Sequence, residues 1–177
     1  DMDGVREMKQ NAMSQSLEAV LFDKDGTLVD FHATWSQGYA DAARLMARQL
    51  GGDKVDAAAL MRGAGMDPGT FRVPAASVMG CGTTPEIAAN WAATLGLADS
   101  TSLARDLEAF FLDEIGSNPV AVACLDDTLV RLAAAGFRLG VATMDSAAMA
   151  ERNLGLMGVR DRFEFVCGFD SGFGHKP

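Results

Sequence analysis

Apolar positions along the chain switch between short continuous runs and stripes at helical spacing, which is the pattern of an α/β protein. Ala19-Val20-Leu21-Phe22 is an unbroken apolar run that ends at charged residues and a turn, as expected of a strand buried in a parallel sheet. Residues 137–142 and 163–167 predict two further core strands. Between the first and second runs the period becomes helical. Trp35, Tyr39, Ala42, Met46 and Leu50 fall on one stripe of residues 34–50, which ends at Gly51-Gly52. Asp53 is placed to cap a second helix running through Met61. Thr84-Pro85-Glu86 sets a cap residue and a Pro at the start of a third, which runs to Leu95 and stops at Gly96. Asp99 or Ser100 opens a fourth, with Leu103, Leu107, Phe110, Phe111 and Ile115 on its buried face. A helix over 126–135 carries Leu129, Val130 and Leu132, with Leu125 just before it on the same face, and closes at Gly136.

About 85 residues, 33–117, separate the first strand from the helix that precedes the second, far more than a connection needs. They are expected to form a helical domain inserted into an α/β core made of residues 17–32 and 118–177. Residues 1–16 are polar and without periodicity, and read as a tag, a leader or a frayed arm in which Met13 suits a native start.

At 177 residues, 49% of them hydrophobic, the chain can build one or two small domains with a real core. No apolar run approaches the roughly 20 residues that cross a bilayer. The N-terminus carries no basic-then-apolar signal pattern, so a cytoplasmic protein without membrane contact is expected. Cys81, Cys124 and Cys167 are odd in number and lack metal-ligand spacing, which argues against a disulfide framework or a zinc site. A net charge of -9 argues against nucleic acid as a partner. It leaves room for a small phosphate ester bound through a local Lys, backbone N–H groups and a metal.

Candidate chemistry gathers where the first strand ends. Asp23 and Asp25 stand one residue apart at the strand tip, where ligands of parallel sheets sit. Two such carboxylates repel unless a cation or a proton lies between them, so the pair implies a bound metal or acid/base work. Gly26 and Thr27 add a tight turn and a hydroxyl at the same spot. An Asp-Gly turn explains two of these positions; it does not explain Thr27, Leu28 and Asp30.

Together these residues resemble motif one of the haloacid dehalogenase superfamily, a strand followed by Asp-x-Asp-Gly-Thr-Leu-x-Asp, with every fixed position present. The second motif, a Thr or Ser at the tip of the next core strand, is matched by Thr143. The third, a Lys commonly followed by Pro, is matched by Lys176-Pro177. Many relatives place Asn after the motif-two Thr, where this chain has Met144 and then Asp145. The fourth motif, acidic residues that complete the metal site, would lie beyond Pro177.

The resemblance implies a Rossmann-like parallel sheet with an inserted α-helical cap, as in the phosphoglycolate phosphatase-like branch. It also implies a Mg²⁺-dependent phosphatase acting on a small phosphorylated metabolite. Asp23 would attack phosphorus to form an aspartyl-phosphate, and Asp25 would protonate the leaving oxygen and later deprotonate the attacking water. Mg²⁺ would be held by the Asp23 carboxylate and the Asp25 carbonyl. Thr143 and Lys176 would hold the phosphoryl oxygens, and Gly26, Thr27, Met144 and Arg62 would contact substrate. Arg62 lies in a segment, Arg62-Gly63-Ala64-Gly65-Met66, that resembles the family's substrate-facing cap loop. Either it or Arg72 could hold a substrate carboxylate, although a solvated surface charge is the simpler reading of each. Hinges are expected near 31–33 and 117–120. His32 and His175 read as packing and loop residues.

Asp25 favours phosphoryl transfer, since the dehalogenase branch lacks this second aspartate. Phosphoglycolate leads among the candidate substrates. A β-phosphoglucomutase-like phosphoryl transferase and a non-catalytic remnant that binds phosphorylated ligands are the alternatives. The family's sheet also predicts that these residues form a C-terminally truncated core, continued natively by about 40 to 50 residues, the length of two βα units. The 19–22 strand would then be an open edge that invites another chain, a homodimer included.

Overall fold

The computed structural model describes residues 17–51, 55–115, 117–174 and 176. Strand β1 (Ala19–Phe22) pairs in parallel with β2 (Arg138–Ala142), and β2 with β3 (Phe165–Cys167), in the order β1-β2-β3. Parallel neighbours require crossovers. The first crossover contains a whole helical layer; the second is one helix and a 3₁₀ turn, Arg160–Arg162. The third strand begins two residues later than its apolar run, because Phe163 turns inward to pack edge-to-face on Phe22, ring centroids 6.1 Å apart. Among the described residues β1 is an edge strand, as expected.

Among the described residues six α-helices precede β2. The first, α1 (Phe31–Met46), continues into a π-helical turn, Ala47–Gly51. It starts earlier than its stripe suggests, because the Asp30 carboxylate accepts from the Ala33 N–H at 3.0 Å and caps it there. The expected hinge at 31–33 is therefore the first turn of α1. Helix α2 (Ala57–Gly63) is capped by Asp56; Asp53, the expected cap, lies outside the described residues. A one-turn helix, α3 (Val78–Cys81), is started by Ser77 in a stretch with no helical signal of its own. Helix α4 (Thr84–Leu95) has the reciprocal Thr83–Glu86 capping box and ends at Gly96, φ 71°. Helix α5 (Thr101–Phe110) runs into a second π-helical turn, Phe111–Ile115, and α6 (Leu125–Ala134) leads into β2. Helix α7 (Ala147–Leu156) joins β2 to β3.

The two connections between the sheet and the helical layer run side by side. The Asp30 N–H donates to the Val120 carbonyl at 2.7 Å, the Val122 N–H to that of Leu28 at 3.1 Å, and the Val120 N–H to the Thr34 hydroxyl at 2.9 Å. Apolar side chains divide into two clusters. One fills the helical layer around Trp91, Leu60, Leu103 and Leu107, and takes in Met149 from α7. The other lies on one face of the sheet, where Leu139 and Val141 meet Leu125 and Leu129 of α6 and Leu154 of α7. On the opposite face Leu21, Gly140 and Phe165 form a row, with Leu21 61% and Phe165 48% exposed. A Cβ on Gly140 would lie 2.4 Å from the Phe165 ring, so the row closes only over glycine. No helix among the described residues is long and apolar enough to cross a membrane.

Candidate active site

Chain reversal at the strand tips gathers the site. Asp23 follows the last residue of β1, and the Lys176 ammonium makes an ion pair with its Oδ1 while also donating to the Ala142 carbonyl at 3.2 Å. Thr143, buried, follows β2; its N–H donates to the Cys167 carbonyl at 2.9 Å, and its hydroxyl accepts from the Asp145 N–H at 3.1 Å. Gly168 lets the β3 loop close against this turn, since a Cβ there would sit 2.2 Å from the Ala147 nitrogen. Asp23, Asp25, Thr143, Met144, Asp145 and Lys176 form the floor of a cavity of about 350 Å³ between the sheet and the helical layer.

Behind this floor lies a charged group that sequence reading did not find. Lys24, between the two aspartates, is fully buried. Its ammonium donates to Asp25 Oδ1 at 2.8 Å and to Asn153 Oδ1 at 3.0 Å, and it pairs with Asp145 Oδ2 at 3.0 Å. It also lies 5.1 Å from the centre of the Trp35 ring. Burial alone would lower the Lys24 pKa, but Asp145 and Asp25 outweigh it and hold the value above normal. Burial pushes the Asp145 carboxyl up to about 7, with Lys24 opposing and Asp25 assisting. Burial likewise raises the Tyr39 hydroxyl well above its ordinary value, with Asp145 and Asp25 adding to the shift. The Trp35 indole N–H donates to the same Asp25 oxygen at 2.6 Å. Two donors thus hold Asp25 by Oδ1. The sequence signal was a Lys flanked by carboxylates next to an apolar strand, which a surface turn imitates equally well.

The other expected residues divide. Met144 lines the cavity. Gly26 shapes the motif-one loop with φ 83° and an N–H donated to the Val29 carbonyl at 2.8 Å, and Thr27 is exposed; neither is among the described residues that line the cavity. Arg62 is not brought to the cavity either. It is 62% exposed and reaches toward Asp56, 4.0 Å away, since α2 turns that face to solvent. Arg72 is exposed in its loop, and His32 is exposed with Nδ1 3.1 Å from the Ser36 hydroxyl. His175 and Pro177 lie outside the described residues. Trp35, Tyr39 and Phe111, legible only as core positions, form part of the cavity wall, joined by Met79–Gly82 from the unforeseen α3 turn.

The donor chemistry at the strand tip suits Mg²⁺, a hard cation that binds through one or two carboxylates and keeps several waters. The Asp23 carboxylate is 45% exposed and opens on the cavity beside the Asp25 backbone. No group of three or more His, Cys, Asp or Glu able to hold a metal gathers among the described residues.

A parallel sheet whose first strand ends in two aspartates, with a Thr and a Lys converging from later loops, places an α/β site at the carboxyl ends of the strands. Residues 17–177 match the family described as hydrolase, haloacid dehalogenase-like hydrolase, and the chain belongs to that family. No curated protein sequence matches it. Solved structures share its fold at low identity. A protein of Haemophilus somnus described as a predicted phosphoglycolate phosphatase superposes with a TM-score of 0.62 at 15% identity, over 93% of this chain and 68% of its own. CbbY of Rhodobacter sphaeroides, solved in complex with phosphate, gives 0.62 at 21% identity, over 91% and 67%. The HAD-hydrolase YfnB of Bacillus subtilis, bound to magnesium, gives 0.57 at 20% identity, over 90% and 67%. The chain spans about two thirds of the length of these three structures and 60% of two others.

Proposed function

We propose that the chain carries the catalytic residues of a Mg²⁺-dependent phosphatase for small phosphomonoesters. One observation carries the reading: Asp23, Asp25, Thr143 and Lys176, drawn from ends of the chain 153 residues apart, line a single cavity. Asp23 attacks phosphorus along the line of the scissile bond and becomes an aspartyl-phosphate while the alkoxide leaves. Asp25, held by Oδ1, offers its other oxygen to protonate that alkoxide, and then takes a proton from the water that hydrolyses the intermediate. Lys176 and the Thr143 hydroxyl bind the phosphoryl oxygens, where donors of this kind are worth about 3 to 4 kcal/mol each. The Asp23 carboxylate and the Asp25 carbonyl would hold Mg²⁺, which would supply positive charge to offset repulsion between nucleophile and phosphate.

The helical layer acts as the cap of this site. It meets the sheet layer through the Ser146 hydroxyl, which donates to Glu108, and through Trp35 on Asp25. The paired connections at 28–30 and 120–122 are the place where it would swing. The test is phosphate release from a panel headed by phosphoglycolate, with and without Mg²⁺, beside Asp23→Asn. Metal-dependent release lost in the variant is expected. Phosphate-ester binding without release from any member would favour a non-catalytic binding protein instead.

A further inference from the structure

We infer that the cavity selects phosphomonoesters whose organic part is uncharged and apolar, and works against esters that carry a second anion; this rests on the phosphatase reading above. The walls divide by chemistry. All the formal charge among the described lining residues, Asp23, Asp25, Asp145 and Lys176, comes from the sheet side. The helical layer contributes the large side chains Phe31, Trp35, Tyr39, Met79, Ile87 and Phe111, the smaller Gly80–Gly82 turn and Thr84, and no Lys, Arg or His among the described lining residues. Trp35 stacks on Tyr39 with centroids 5.5 Å apart, and Phe111 meets both rings edge-on. Five of these six side chains are almost completely buried, so the wall is packed in place and has little freedom to turn a polar group inward.

Two arginines of the helical layer are engaged away from the cavity. Arg44 pairs with Asp41 and lies over the Phe71 ring, and Arg62 faces Asp56 in solvent. A phosphate seated against Asp23, Thr143 and Lys176 would project its ester group toward the aromatic wall. A carboxylate at that end would lose its water without gaining a cation, close to Asp25 and Asp145. An apolar ring or alkyl group there gains burial instead. The inference departs from phosphoglycolate, the substrate expected from the family branch.

The experiment compares benzyl phosphate with phosphoglycolate, both esters of primary alcohols, in kcat/KM. It also compares equilibrium binding of their unreactive analogues phenethylphosphonate and phosphonopropionate by calorimetry. Benzyl phosphate is expected to win by about tenfold or more, and its analogue to bind tighter by a similar factor. Placing a cation on the rim with Cys81→Lys, an exposed lining position, should shift the ratio toward phosphoglycolate. Phosphonopropionate binding as tightly as phenethylphosphonate, or neither analogue binding, overturns the inference. Preferential binding of phenethylphosphonate with no release from either ester supports it and overturns the phosphatase reading.

Discussion

The helical layer and the sheet layer bury their side chains in opposite styles. The helical layer is an apolar unit, with Leu60, Trp91, Leu103 and Leu107 at 0 to 1% exposure and aromatic rings in mutual contact. The sheet layer holds a smaller apolar cluster, exposes Leu21 and Phe165 on its outer face, and buries Lys24, Asn153 and Thr143. Hydrophobic burial scales with area removed from water, so cohesion is concentrated in the helical layer. Buried polar groups cost stability unless they are paired, and here they are concentrated beside the strand tips. The layer that shapes the cavity is built for packing; the layer that faces phosphate is built around charge.

The largest effect that could break this division is on chemistry. Asp23→Asn should lower phosphate release by about 10⁴-fold or more, with the fold intact by circular dichroism; a variant within tenfold of the parent would remove Asp23 from the reaction. Next comes the buried cation. Lys24→Met leaves Asp25 and Asp145 facing each other without it, and should cost about 3 to 5 kcal/mol in a denaturant titration. A loss under about 1 kcal/mol would mean that the ion cluster is not a structural element.

Matched apolar truncations sharpen the contrast in packing. Leu107→Ala in the helical layer should cost about 2 to 5 kcal/mol, whereas Leu21→Ala on the open sheet face should stay near about 0.5 kcal/mol. Equal losses would show that the sheet face is covered in solution. The smallest effect is a pH slope. The Asp145 carboxyl rises from an ordinary 3.8 to about 7 in the folded chain. Between these values the native state holds a proton that the unfolded state has released. The stability this group lends at low pH is therefore lost as pH rises through about 7. Asp145→Asn removes the slope, so the variant's melting temperature relative to the parent should climb from pH 4 to pH 8. A difference that stays flat or shrinks would contradict the burial of that carboxyl.

Much of this was readable from the chain because it depends on local order. The apolar run before Asp23 specifies a strand, Thr83 to Glu86 specify a helix start, and Gly96 and Gly136, both at positive φ, specify helix stops. The strand ends then place Asp23 and Thr143 at one edge of the sheet, since parallel strands bring their carboxyl ends together. Lys24, Trp35 and the α3 turn were not readable in the same way. A Lys between two aspartates has the composition of a solvated turn, and only the packing of α1 and α7 over it leaves the ammonium among Asp25, Asp145 and Asn153. Arg62 shows the converse dependence on packing. Its glycine-rich neighbourhood resembled a substrate loop, but the rotation of α2 sets it toward solvent.

The sequence by itself determined the strand tips, the order of the motifs and the helical insert, because periodicity, capping and backbone freedom act over a few residues. Only the tertiary structure decided which side chains face the cavity and which cation neutralises which carboxylate. Those outcomes depend on helix rotation and burial, which are set by contacts between residues far apart in the chain.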